Sequence, residues 1–148
     1  MSPSDSSSSE TTWMTLTREY EGFPLYLRFP RRIANEDLQS RFPVLWALTH
    51  TFSFRRFDGS PEPAYNDTLG EFDHALVTLF ERDGLGHIVL VETFAGKRHY
   101  YFYVQSTVEW ESVLHALRVR FPGYTLAARG KEDPTWQFLR QYRSDFGF

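Results

Sequence analysis

The sequence predicts an α+β fold of the ferredoxin-like kind, and three observations carry the prediction. In residues 84–105 (GLGHIVLVETFAGKRHYYFYVQ), two runs rich in β-branched and aromatic residues flank a break at Ala95-Gly96-Lys97, which signals a β-hairpin. On either side, apolar residues recur at helical spacing: Leu69, Phe72, Leu76, Leu79 and Phe80 before it, and Trp110, Val113, Leu114, Leu117 and Phe121 after it. Outside these lie two further strand signals, at 44–54 and 124–128. The order strand, helix, strand, strand, helix, strand is that of a split β-α-β sandwich, in which both helices cover one sheet face. The core is expected over about residues 44–130, inside one domain spanning 12–148.

The elements follow in order. Residues 13–30 alternate as a first hairpin, with Met14, Leu16 and Tyr20 on one side and Leu25, Leu27 and Phe29 on the return; Glu21-Gly22 supplies the turn. Pro24 marks the start of the return strand as an edge or bulge. A short helical turn is expected after Asn35. In 44–54 the even positions Val44, Trp46, Leu48, His50, Phe52 and Phe54 are bulky, so that face belongs under the helices. Residues 55–65 read as a Gly/Pro loop. Thr68 with Glu71 and Ser106 with Glu109 have capping-box spacing, which places helix starts there; the first helix is expected to run to about Asp83, where Asp83-Gly84 ends it. Pro122-Gly123 stops the second. Asp133-Pro134 reads as an N-cap followed by a first-turn proline, opening a last helix to about Arg143. The N-terminal hairpin and this C-terminal helix are additions that either lengthen the sheet or cover its other face.

Composition narrows the function classes. The 148 residues carry a formal net charge of -3, which argues against blanket electrostatic binding of nucleic acid. Aromatics make up 18% of the chain, so the core rests on flat side chains, and the absence of cysteine removes disulfides, thiolate metal sites and thiol catalysis. No apolar run approaches the roughly 20 residues that span a bilayer. Residues 1–11, with four consecutive serines, read as a disordered tail without a secretory signal, and a cytoplasmic protein is expected.

Three features in order carry a family resemblance. They are Gly59 and Pro61 leading into Leu69, Glu71 and Phe72; the turn Gly96-Lys97-Arg98 followed by Tyr101, Phe102 and Tyr103; and Asp133-Pro134-Thr135-Trp136. Trp13 and Tyr20 before a turn glycine fit the opening. Over about residues 13–143 the chain resembles a mostly bacterial family known only as a domain of unknown function. The resemblance implies a fold like that of the regulator of ribonuclease E activity B, which inhibits a nuclease by binding it.

No catalytic constellation is recognised. The histidines at 50, 74, 87, 99 and 115 lack metal-binding spacing, Gly84-Leu85-Gly86 lacks the third glycine of a phosphate loop, and no serine sits in a nucleophile elbow. Neither metal nor cofactor is expected. Strand parity assigns Tyr100, Phe102 and Val104 to the core and leaves His99, Tyr101 and Tyr103 on the opposite face. With Arg98 these form the candidate interaction surface, for a protein partner or for self-association. Two alternatives stand beside that reading. One is an RNA-associated role, with Tyr101 and Tyr103 stacking on bases beside Lys97 and Arg98. The other is a small-molecule pocket between the sheet and the added elements. Arginine pairs at 31–32 and 55–56 could join Lys97-Arg98 as an anion-binding patch.

Overall fold

A computed structural model describes residues 13–30, 36–52, 63–81 and 84–148, with 36–37 and 63–69 described as backbone. The elements are β1 (Trp13–Tyr20), β2 (Phe23–Pro30), α1 (Glu36–Arg41), β3 (Val44–Thr51), α2 (Pro63–Glu81), β4 (Gly86–Phe94), β5 (Lys97–Val104), α3 (Trp110–Arg120), β6 (Thr125–Glu132) and α4 (Gln137–Phe146). The strands form one antiparallel six-stranded sheet in the order β1-β2-β4-β5-β3-β6. The inner order β4-β5-β3-β6, with α2 and α3 as crossovers, is compatible with the expected ferredoxin-like arrangement. The N-terminal hairpin lengthens the sheet through β2 on β4, and α4 covers the second face.

Both hairpins turn over two residues of positive φ, Glu21-Gly22 and Ala95-Gly96, with Tyr20 opposite Phe23 and Phe94 opposite Lys97. Positive φ at both central positions matches the right-handed twist of the flanking strands. Lys97 therefore belongs to the strand, and Gly96 accepts a hydrogen bond from the Phe52 amide at 2.8 Å, which ties the turn to the end of β3.

Period-two alternation then builds two cores, one on each face. Under α2 and α3 lie Trp46, Leu48, Ile88, Val91, Tyr100, Phe102, Val104 and Leu126, packed on Phe72, Leu76, Phe80, Leu114 and Leu117. On the other face Leu25, Leu27, Leu45, Leu90 and Tyr103 pack against Trp136 and Leu139. A bulge between Ile88 and Leu90 puts the consecutive residues Val89 and Leu90 both in the second core, while Ile88 and Val91 serve the first.

Helix starts differ from the capping-box expectations. Helix α2 begins at Pro63, so Asn66 and Thr68 lie within it; a proline fits the first helical position because its missing N–H has no partner there. Helix α3 begins at Trp110 after Glu109, without a side-chain cap from Ser106. Helix α4 begins at Gln137, preceded by Trp136 in the left-handed region. Strand β3 ends at Thr51, and the tail (1–11), the arginine pairs at 31–32 and 55–56, and the Gly59–Pro61 stretch lie outside the described residues.

Candidate functional site

Strand β5 divides the candidate surface between two sheet faces. Arg98, Tyr100, Phe102 and Val104 point to the α2/α3 face, and His99, Tyr101 and Tyr103 to the face beneath α4. His99, Tyr101 and Tyr103 grade from half-open to closed. Tyr103 is fully buried, its ring stacked on Trp136 at 4.2 Å, and its hydroxyl donates to Asp133 Oδ2 at 2.6 Å. The same carboxylate accepts the Gln137 and Phe138 amides at 2.9 and 3.0 Å, so it caps α4 from four residues ahead of the first helical position. Burial alone would raise the Asp133 pKa; hydrogen bonds from Tyr103 and the two amides outweigh it and hold the carboxyl below its usual range. Trp136 Nε1 donates to Phe42 O at 2.8 Å, which pins the start of α4 to the chain ahead of β3.

Tyr101 is half-buried, 4.6 Å from the Phe138 ring. Next along the face, Glu92 accepts a hydrogen bond from the Tyr142 hydroxyl and lies 3.8 Å from His99 Nε2. His99 Nδ1 is 2.8 Å from Thr49 Oγ1. Burial lowers the His99 pKa; Glu92 opposes the shift, and Lys97 and Arg129 reinforce it. Burial, and then the Glu92 carboxylate, push the phenol of Tyr101 well above its ordinary value.

A hydroxyl, an imidazole and a carboxylate in a row are the components of nucleophilic catalysis. Here their geometry favours orientation. The 3.8 Å gap is too long for a hydrogen bond. Thr49 sits in mid-strand, paired with His99 on one side and Ala127 on the other, so the local backbone amides serve the sheet and not an oxyanion. Among the described residues, no three His, Asp or Glu side chains converge to hold a metal ion.

Beside this row, α4 and the end of β6 enclose an open groove of about 510 Å³, lined by Lys131, Gln137, Phe138, Gln141 and Tyr142 and by the carboxylates Glu132, Asp133 and Asp145, among others. Strand register places Lys97, Arg129 and Lys131 on this same face, all exposed.

Arg98 serves the opposite face. Its Nε donates to Thr93 Oγ1 at 2.9 Å and its Nη1 to Asp73 Oδ2 at 3.3 Å, and the Tyr100 hydroxyl also donates to Asp73. Buried nearby, His50 stacks on Tyr124 at 4.4 Å; burial and then Arg98 lower its pKa to about 4. His50 and His99 therefore lie on opposite faces, as their parity requires.

For base stacking, Tyr103 is closed by Trp136 and Tyr101 has Phe138 beside it. Glu92, Tyr142 and Asp73 were not singled out from sequence. An acidic residue inside the apolar run 88–94 was a readable signal for Glu92, whereas Tyr142 reaches it only because α4 lies on that face.

Among the described residues, no helix is long and apolar enough to cross a membrane. No curated protein and no solved structure matches the sequence. A family model described as "Family of unknown function (DUF695)" matches residues 11–143, nearly the span of the resemblance read from the motifs, and the chain belongs to that family.

Proposed function

We propose that the chain is a non-catalytic interaction domain that docks an extended, acidic protein segment on the open part of the sheet face beside α4. One observation carries the reading: Lys97, Arg129 and Lys131 are exposed along one face of a protein whose net charge is -3. Of the carboxylates on or beside that face, Glu92 is engaged by Tyr142, Asp133 accepts three hydrogen bonds and Asp145 accepts from Gln141 Nε2, so Lys97, Arg129 and Lys131 supply the positive charge that steers an acidic partner. The flank of α4 adds Gln137 and Gln141 as hydrogen-bonding groups and Phe138 and Tyr142 as aromatic contacts. Strand β6 ends the sheet, so an extended segment can pair with its outer edge while its acidic side chains meet Arg129 and Lys131.

The wider expectations belong to the same proposal: one domain over 12–148 with a tail over 1–11, a bacterial and cytoplasmic setting, and a regulatory role by binding, as in the regulator of ribonuclease E activity B. The test is calorimetric titration with a Glu-rich peptide against a neutral peptide of equal length. The acidic peptide is expected to bind, with about tenfold or greater loss in the Lys97→Glu, Arg129→Glu, Lys131→Glu variant. Equal binding of both peptides, or an unaffected variant, would contradict the proposal.

A second reading, self-association through β1, is favoured by a separate observation. Four of the five exposed large hydrophobics among the described residues, Met14, Tyr20, Phe23 and Tyr26, lie on the first hairpin, whose β1 is the other sheet edge. Analytical ultracentrifugation of wild type against Tyr20→Ser/Phe23→Ser tests it. A wild-type dimer that the variant dissociates supports it, and a monomeric wild type removes it.

A further inference from the structure

On the α2/α3 face the sheet continues past the helices onto β1 and β2. There, of the residues on these two strands, only Trp13 packs against the core under the helices. This corner holds a small cavity of about 150 Å³ whose lining includes Thr15, Thr17, Tyr26, Arg28, Thr93 and Arg98 beside the apolar Leu16, Leu27 and Val91. Strand register brings them together: Thr15 faces Arg28 and Thr17 faces Tyr26 across β1–β2, Tyr26 faces Thr93 across β2–β4, and Thr93 faces Arg98 across β4–β5.

Among the described residues, the charges around it do not balance. Arg28 and Arg98 share one carboxylate, Asp73, at 3.7 and 3.3 Å, and Asp73 also accepts the Tyr100 hydroxyl. Two guanidiniums against one carboxylate leave a net positive charge beside three threonine hydroxyls and a phenol. The two arginines are held differently. Arg98 is fixed by Thr93 and Asp73. Arg28 lies 5.0 Å over the Trp13 ring with its side chain 40% exposed, yet its Nε–H is buried and has no hydrogen-bond partner among the described residues. A buried charged donor without an acceptor is unfavourable, and a planar guanidinium fork of this kind suits an oxyanion.

We propose that this corner is a binding site for a compact oxyanion, a phosphoryl or carboxylate group. One of its oxygens accepts from Arg28 Nε–H, and the others accept from the threonine hydroxyls. The cavity has room for about five waters at roughly 30 Å³ each, which admits such a group but not a whole nucleotide. This site lies on the opposite face from the proposed docking surface, and neither depends on the other.

The probes are inorganic phosphate and acetate, each titrated at constant ionic strength into the full chain and followed through the arginine Nε–H resonances by NMR. Saturable movement of the Arg28 resonance is expected with at least one probe; phosphate the stronger assigns a phosphoryl ligand, acetate the stronger a carboxylate. Arg28→Lys, which keeps the charge and loses the fork, is expected to weaken binding about ten- to hundredfold. Thr15→Val/Thr17→Val, which leaves both arginines in place, is expected to weaken it severalfold and serves if Arg28→Lys does not fold. No saturable shift with either probe, or affinity unchanged in the folded variants, would overturn the site.

Discussion

Replacing Asp133 is expected to release α4 from the sheet. The carboxylate accepts three hydrogen bonds, from the Tyr103 hydroxyl and the Gln137 and Phe138 amides, at a buried position. Hydrogen bonds to a charged acceptor contribute about 1.5–3 kcal/mol each, and losses in a shared network are less than additive. Asp133→Ala also orphans the buried Tyr103 hydroxyl, so the expected destabilisation is about 3–5 kcal/mol. Asp133→Asn keeps one oxygen that can still cap the helix, but it turns an NH₂ toward donors, and about half that loss is expected. Urea unfolding followed by tryptophan fluorescence and by far-UV circular dichroism measures both, because Trp136 stacks directly on Tyr103. An Asp133→Ala protein within about 0.5 kcal/mol of wild type would refute the reasoning.

Two further predictions concern the buried histidine and a turn. The His50 pKa is lowered to about 4 from an ordinary 6.5, so the unfolded chain takes up the proton first. Stability is then full above pH 6.5 and falls as the pH drops toward 4, by about 2 kcal/mol between pH 7 and 4.5 from His50 alone. His99 and His87 are lowered as well, so the measurement is the difference in pH slope between wild type and His50→Phe; equal slopes would contradict it. Ala95, itself exposed, holds φ 50° beside Gly96 in a two-residue turn, and Ala95→Asn is expected to stabilise by about 0.5–1 kcal/mol because asparagine tolerates that region. A lowered melting temperature would count against this.

The sheet was legible because alternation is a local signal. Bulky even positions placed Trp46, Leu48 and His50 beneath the helices, and the same parity separated Tyr100 from Tyr101. Helix starts were less legible, because hydroxyl-to-carboxylate spacing recurs where no helix begins. Pro63 was the effective marker of α2, and Asp133 has the right chemistry for a cap but acts from outside the helix, across the turn that Trp136 makes. The site was legible only in outline. His99 and Tyr101 share a face, as their spacing requires, but the closing of Tyr103 depends on where a helix more than thirty residues later docks. Arg98 is adjacent to His99 in sequence and therefore on the other face, where Asp73 meets it from α2.

The central claim, an acidic segment docked beside α4, is tested most directly by mapping backbone amide shifts on addition of a Glu-rich peptide. Shifts concentrated at Lys97, His99, Arg129, Lys131 and Gln141, and lost when the three cations are reversed, are the predicted result. Shifts spread evenly over the surface, or confined to the first hairpin, would contradict it.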